Sequence, residues 1–517
     1  MLLSGNEAIA LGALEAGALV GTGYPGTPST EILETLAGHD EIYTEWSVNE
    51  KVALEVALGA SWSGARSIVT MKHVGLNVAA DPLFTAAYTG VKGGLVVVSA
   101  DDPGMHSSQN EQDNRNYGYA AKLPVLEPAD SQEAKDFTKL AFDISERFDI
   151  PVILRTTTRI SHSKSIVVPG VKRPPARVRG FNRDAEKYVM IPAYARMRRL
   201  DLQKRFRRIE EYSEKLEINK AELNDRDRGF IVSGACYQYV KEVFPQASVL
   251  KLGMVWPLPE KMIRTFAKKV KKLYVFEELD PFIESSVREL GIVAEGKKLF
   301  PVTGEFSQDT VKRAFGLEHK PRKFPGMPAI PPRYPALCQG CPHRSVFGLL
   351  LKLGYTVSGD IGCYTLGVLE PFKALDTCID MGASISAAQG MEIVNPEGKI
   401  AAVIGDSTFA HSGITGLLNA AYNKRKSLII ILDNGTTAMT GMQPNPLSGK
   451  TIKGEDTWAL NYAKLAEAVG IGPDNFAEVN AYKPAEMENA IERLGKSGKL
   501  SLLVIKGKCI ILARKTK

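Results

Sequence analysis

The sequence predicts an α/β protein of several domains, with doubly wound parallel sheets in the larger ones and a smaller α/β domain between them. Three observations point there. Short apolar runs at 95–100, 400–404 and 427–432 stop abruptly at Asp, Gly-Asp and Asp-Asn, the behaviour of strands buried on both faces. Helical segments alternate with strands: small-residue ones at 8–16, 50–61 and 413–423, and a charged amphipathic one at 260–272. Two stretches rich in proline and basic residues interrupt the pattern, and 517 residues leave room for three or four domains.

Residues 1–165 form the first α/β unit, with strands at 95–100 and 152–155. Residues 166–228 join a linker, with Pro169, Pro174 and Pro175 among Lys and Arg, to a basic helix. Seven of the thirteen residues from Arg196 to Arg208 are basic. Leu200, Phe206 and Ile209 give that helix only a thin apolar stripe, and Glu210, Glu211 and Glu214 follow, so a solvated linking helix is expected. Residues 229–318 hold strand-like runs at 230–232, 249–252 and 273–276 around the 260–272 helix, a small doubly wound domain. A second linker, 319–336, carries Pro321, Pro325, Pro328, Pro331, Pro332 and Pro335, and the last domain fills 337–517.

Composition narrows the function classes. With 44% apolar and 24% charged residues the chain reads as an ordinary soluble protein, and no apolar run is long enough to cross a bilayer. The N-terminus lacks the layout of a signal peptide, which makes the cytoplasm the expected location, with neither membrane nor nucleic acid as partner. A net charge of +7 suits anionic ligands such as diphosphates and coenzyme A. Six cysteines in such a compartment read as metal binding, catalysis or burial rather than disulfides.

The most specific pattern is Gly405-Asp406-Ser407, followed after residues 408–433 by Asn434 in Asp-Asn-Gly-Thr-Thr. Both halves sit at strand ends, where open parallel sheets bind ligands. Mg²⁺ takes one or two carboxylates plus phosphate oxygens, so Asp406, Asn434 and the Thr436 carbonyl are placed to clamp a metal that carries a diphosphate. The same residue types also make plain strand-end turns, and the spacing alone leaves both readings open.

Nearly the whole chain, however, resembles the alpha subunits of indolepyruvate:ferredoxin oxidoreductases, a family of 2-oxoacid oxidoreductases that use thiamine diphosphate. The runs that carry the resemblance are Tyr24 to Thr30 (YPGTPST), Glu45 to Lys51 (EWSVNEK), Leu337 to Arg344 (LCQGCPHR), Gly359 to Gly367 (GDIGCYTLG) and Gly405 to Pro446. It implies thiamine diphosphate-binding sheets, with a pyrimidine-binding domain at 1–165, a transketolase C-terminal-like domain at 229–318 and a diphosphate-binding domain at 337–517. Glu50 occupies the place of the acid that hydrogen-bonds the aminopyrimidine and drives deprotonation of the thiazolium carbon. On position alone Glu50 would merely start a helix. Gly405, Asp406, Ser407, Asn434, Thr436, Gly362, Cys363, Tyr364, Gly382 and Ser384 are implied cofactor contacts, with Mg²⁺ on Asp406, Asn434 and Thr436. Thr27 and Ser29, with His73, His106 and Arg115 behind them, are implied around the 2-oxoacid carboxylate, and His343 and Arg344 as catalytic helpers.

The same resemblance implies a [4Fe-4S] cluster on Cys338, Cys341, Cys363 and Cys509, the last on a final strand at 502–512, with Cys378 as alternate ligand or buried thiol. Cys-x-x-Cys also fits zinc, or no metal. The family's usual ferredoxin-like tail, with two Cys-x-x-Cys-x-x-Cys-x-x-x-Cys-Pro runs, has no counterpart in these 517 residues. Electrons are therefore expected to leave through a ferredoxin or another redox subunit. A smaller beta-type subunit and a homodimer of this chain complete the expected assembly. The expected reaction is oxidative decarboxylation of an arylpyruvate such as indolepyruvate or phenylpyruvate to its acyl-CoA. The alternatives are a non-oxidative 2-oxoacid decarboxylase and a scaffold that binds cofactor without acting on a substrate.

Overall fold

A computed structural model describes residues 1–174, 178, 180–317, 331 and 335–515. Pro175 and most of the 319–336 linker lie outside the described residues. The chain divides into two compact units, Met1–Lys323 and Phe324–Lys517.

The first unit is built on a seven-stranded sheet. Its order is Met254–Trp256, Val125–Leu126, Val152–Thr157, Leu95–Asp101, Ser67–Lys72, Val20–Gly23, Tyr43–Trp46. Every neighbouring pair is parallel except the first, where Met254–Trp256 runs antiparallel to Val125–Leu126. That edge strand comes from the part of the sequence expected to form the small domain. The rest of that part, joined by residues 220–228 of the expected linker, makes a separate four-stranded sheet, ordered Lys272–Phe276, Asp225–Ser233, Ala247–Leu252, Lys220–Glu222. The helix expected at 260–272 stops at Ala267, and Lys272 already starts a strand.

Local chemistry sets the helices. Ser4 and Glu7 form a capping box that opens the helix Gly5–Glu15, and Asn49 accepts from the Val52 N–H at 2.9 Å to open Glu50–Trp62. The basic helix exists, as Pro192–Ser213, but it is not a solvated linker. Leu202, Phe206 and Ile209 are buried while Leu200 is exposed. Arg205 is buried too, donating to the main-chain oxygens of Asp149, Ala87 and Tyr88, and Arg198 donates to Tyr88 and Thr89. Those guanidinium groups cap carbonyls at helix and loop ends, which a charge count along the sequence does not register.

The second unit carries a five-stranded, all-parallel sheet ordered Thr356–Ser358, Ile400–Gly405, Leu428–Asp433, Ser501–Lys506, Phe476–Asn480. Alternate strand residues feed two cores. Val403, Ile430, Leu503 and Ile505 pack with Phe347, Leu350 and Ile491 on one face; Ile404, Ile429, Ile431 and Val504 pack with Ile385, Leu417 and Tyr462 on the other. This is the doubly wound arrangement the apolar strand runs require. Gly405 pairs with Leu432, so Asp406 and Asn434 emerge side by side at the carboxyl edge.

Two elements differ from expectation there. The helix expected at 413–423 starts earlier: Asp406–Thr408 is helical, Phe409–Gly413 is a π-turn, and Ile414–Tyr422 continues the helix. The last strand ends at Lys506, not 512. Gly507 packs so tightly on Pro342 that a Cβ would lie 2.5 Å from the proline Cβ. Cys509 lies in the short irregular segment between that strand and the helix Ile510–Lys515.

Candidate active site

In the second unit, Asp406 is buried at the start of its helix, where its Oδ2 accepts from the Gly435 N–H at 3.1 Å and from Asn445 Nδ2 at 3.4 Å. The same Gly435 N–H also reaches Asp433 Oδ1, at 2.9 Å. Burial pushes both acids above the usual carboxylate range, and for Asp406 the charge of Asp433 adds to it. Among the described residues Asp406 has no basic side chain at ion-pairing distance. Asn434 is oriented from two sides: its Oδ1 accepts from the Thr436 N–H at 3.1 Å, and its Nδ2 lies 3.4 Å from His343 Nε2. A buried carboxylate lacking a countercharge, beside a fixed amide oxygen, is a donor set that fits Mg²⁺.

Ser407 stands third in the motif, and its hydroxyl accepts from Thr437 Oγ1 at 2.8 Å, tying the two strand-end loops together. Gly405 is required by packing, since a Cβ there would lie 2.5 Å from the Tyr364 ring. The Tyr364 hydroxyl is spent on the Ile361 carbonyl at 2.7 Å, and Gly362 packs on the same ring, so both support the site rather than face it.

The helix start at Gly382 corrects the sequence reading. The Gly382 and Ser384 N–H groups, expected to meet a diphosphate, donate instead to the Asp360 carboxylate, at 2.8 and 2.9 Å. Burial pushes Asp360 up to about 6 despite those bonds. Gly382, at φ +95°, lets this turn press against Ser412 of the π-turn, where a Cβ would meet the serine Cβ at 2.5 Å. Asp360 was visible in the Gly359 to Gly367 run, but its role as helix cap was not.

Cys338, Cys341, Cys363 and Cys509 line one cavity of about 90 Å³, together with His343 and Asn434. Cys378 does not line it. Burial, with the neighbouring thiols, pushes Cys363 up to about 12 and raises Cys341. Such thiols become thiolates only if positive charge enters the cavity, which fits an iron cluster. Among the described residues no three His, Cys, Asp or Glu side chains are grouped closely enough to hold a single metal ion. Cys509 N–H donates to the Asn434 carbonyl at 3.1 Å, so this wall and the carboxylate–amide clamp share a residue. His343 is fully enclosed and pushed down to about 4 by burial, hence a neutral imidazole. Arg344, half-buried, donates to the Leu337 carbonyl at 2.9 Å and lies 5.1 Å from the Phe372 ring centre.

In the first unit Glu50 is buried at the N-terminus of its helix, and Gly75 lies against its carboxylate, where a Cβ would be 2.6 Å from Oε1. The Tyr24–Thr30 loop is internally bonded. Ser29 Oγ donates to the Gly26 carbonyl at 2.8 Å and is fully buried, so it shapes the loop instead of meeting substrate. Thr27 is half-buried, and its carbonyl accepts from Ser107 Oγ at 3.4 Å. His73 Nε2 contacts Asn110 Oδ1 at 3.0 Å, and His106 is exposed, 3.4 Å from Glu305.

Arg115 is the plainest correction among the substrate candidates. It is 1% exposed, with its guanidinium donating to Asp113, to Glu277 at 2.7 Å and to the carbonyls of Glu278 and Asp280. It ties the seven-stranded and four-stranded sheets together, its charge matched by Asp113 and Glu277 and its side chain enclosed. Arg115→Met is expected to destabilise the first unit by about 3–5 kcal/mol, because two buried carboxylates lose their partner; calorimetric unfolding checks it. Lys72, which the sequence reading passed over, is buried at the carboxyl end of the strand Ser67–Lys72.

Comparison with known proteins follows these lines. A pyruvate flavodoxin/ferredoxin oxidoreductase, thiamine diphosphate-binding family model matches residues 11–219. The thiamine pyrophosphate enzyme, C-terminal TPP binding domain model matches 360–505. The chain is 43% identical to the indolepyruvate oxidoreductase subunit IorA of Archaeoglobus fulgidus, across 99% of this chain and 87% of that one. It is 41% identical to the subunit of the same name from Pyrococcus abyssi, across 99% and 86%. A solved 2-oxoglutarate:ferredoxin oxidoreductase from Magnetococcus marinus, with 2-oxoglutarate, coenzyme A and succinyl-CoA bound, shares the fold, with a TM-score of 0.54 at 18% identity over 61% of this chain and 64% of that one. The chain belongs to the family of indolepyruvate oxidoreductase IorA subunits, thiamine diphosphate-dependent 2-oxoacid oxidoreductases.

Proposed function

We propose that this chain is the cofactor-binding subunit of an enzyme that oxidatively decarboxylates arylpyruvates, indolepyruvate and phenylpyruvate among them, to acyl-CoA. The observation that carries the reading is the sharing of Asn434 and His343 between the carboxylate–amide clamp and the four-cysteine cavity. A place for a diphosphate-bearing cofactor and a place for a redox centre meet at one amide, as electron transfer out of a thiamine site requires.

Asp406, Asn434 and the Thr436 carbonyl would hold Mg²⁺ and, through it, the diphosphate. Bound thiamine diphosphate supplies the acidic carbon that adds to the 2-oxo group and the electron sink that lets carbon dioxide leave. Glu50 holds a proton against the cofactor's pyrimidine nitrogen, and its burial beside Gly75 keeps water from that proton. Cys338, Cys341, Cys363 and Cys509 would hold a [4Fe-4S] cluster, which supplies one-electron steps. His343, neutral and enclosed, lies 3.4 Å from Asn434 Nδ2 and would hold the Asn434 amide in place for the metal. Coenzyme A is the acyl acceptor.

The assembly we infer is a cytoplasmic hetero-oligomer containing a smaller beta-type subunit and a second copy of this chain, with a ferredoxin or another redox subunit taking the electrons. Among the described residues no helix is long and apolar enough to cross a membrane. The test is anaerobic co-purification with the partner subunit. A brown complex with about four iron per chain that reduces a viologen dye with phenylpyruvate and coenzyme A is expected. Colourless protein that releases carbon dioxide and aldehyde would mean the non-oxidative decarboxylase, and a folded complex that binds no thiamine diphosphate would mean a scaffold.

A further inference from the structure

We propose that Lys72 anchors the carboxylate of the 2-oxoacid substrate, an assignment that rests on the function proposed above. Lys72 ends the strand Ser67–Lys72, which lies between Leu95–Asp101 and Val20–Gly23 in the seven-stranded sheet. Two loops and a helix leave the carboxyl edge of these strands, where parallel sheets bind ligands. The Tyr24–Thr30 loop crosses the Lys72 stem: a Cβ on Gly26 would lie 3.0 Å from Lys72 Cβ and 3.8 Å from Cδ. From the loop after Leu95–Asp101, the Ser107 carbonyl accepts from Nζ at 2.5 Å, and Ser107 Oγ in turn donates to the Thr27 carbonyl. The strand's own continuation is the helix His73–Val78, which Lys72 precedes and whose Gly75 lies against the Glu50 carboxylate. Lys72 thus begins the segment that packs on Glu50, the acid proposed to serve the cofactor.

Its electrostatics are incomplete. Lys72 is only 9% exposed, yet among the described residues no carboxylate comes within ion-pairing distance. The nearest acid in effect, Asp102, spends its oxygens on the Ser107 N–H and on the Ser108 and Thr158 hydroxyls. Burial lowers the ammonium to about 8, which Asp102 only partly opposes. A buried cation with one carbonyl partner is costly unless an anion joins it. The substrate brings one, next to the carbon that must react. Because the carboxylate is held in the ground state and lost as carbon dioxide, the contact stabilises bound substrate more than the transition state, so its removal acts mainly on KM.

The test uses the assembled complex with its partner subunit and a viologen acceptor. Lys72→Met should raise KM for phenylpyruvate by about 10- to 100-fold, the range of a charge-assisted hydrogen bond, and Lys72→Arg should recover part of it. KM for coenzyme A and the affinity for thiamine diphosphate should not move. Phenylacetaldehyde, which lacks the carboxylate, should be oxidised equally by wild type and variant. Unchanged KM for phenylpyruvate, equal losses on both substrates, or a rise confined to coenzyme A would each overturn the assignment. If Lys72→Met does not fold, Lys72→Gln replaces it. Should wild type bind thiamine diphosphate but oxidise neither substrate, the proposed function fails; calorimetric binding of 3-phenylpropanoate, weakened in the variant or not, still decides Lys72.

Discussion

Glu50→Gln is expected to lower turnover by about 10²- to 10⁴-fold while thiamine diphosphate still binds. The substitution is nearly isosteric. It leaves the Asn49 cap on the Val52 N–H and the close fit against Gly75 in place, so the helix Glu50–Trp62 should start as before. What disappears is the exchangeable acidic proton, which glutamine cannot shuttle. On the proposed assignment Asp406 and Asn434 would hold the diphosphate end of the cofactor, untouched by the change, and this is why affinity and turnover should separate. Gly75→Ala gives a matched control, because its Cβ would sit 2.6 Å from Glu50 Oε1 and must displace the carboxylate while leaving its chemistry intact. Both variants should bind the cofactor and both should turn over slowly. Wild-type turnover in Glu50→Gln would remove Glu50 from the proton relay and send the search to another buried acid.

The sequence was most legible where one local rule governs. Apolar runs ending in Gly-Asp and Asp-Asn placed Asp406 and Asn434 at adjacent strand ends, and the pairing of Gly405 with Leu432 puts them side by side. The convergence of Cys338, Cys341, Cys363 and Cys509 came from resemblance, since no spacing rule joins Cys341 to Cys509. Less was legible where a residue's partner is remote. Arg115 looked like an anion ligand because its partner Glu277 is 162 positions away, in the other sheet of the same unit. Gly382 and Ser384 looked like an open anion site because the carboxylate that fills it, Asp360, caps the helix from another loop. Lys72 drew no attention because lysine is common, and its meaning lies in burial without a counter-ion, a property of the folded sheet edge. The basic helix misled for a related reason: charge patterning reports composition, whereas Arg205 is buried by carbonyls that composition does not describe.

Asp406 should separate metal binding from folding. Asp406→Asn keeps an oxygen that can accept from the Gly435 N–H and removes a buried charge that lies against Asp433. Without metal the variant should therefore unfold at the same temperature as wild type or higher, since the burial and the Asp433 charge that raise Asp406 no longer act on a carboxylate. With Mg²⁺ the order should reverse. The ion loses the one carboxylate of its donor set, and thiamine diphosphate retention should fall by at least about 100-fold, beyond the range seen when only a supporting residue of a metal site is changed. Ser407→Ala, which deletes the hydroxyl that accepts from Thr437, should cost only about 0.5–1.5 kcal/mol and leave metal dependence intact. Thermal unfolding of cofactor-free protein and thiamine diphosphate titration with and without Mg²⁺ read the two effects independently. Opposite signs identify Asp406 as a ligand whose charge is unfavourable until a cation arrives; wild-type retention in Asp406→Asn would place the metal elsewhere, and a lowered unfolding temperature without metal would make the carboxylate a structural cap of its own helix.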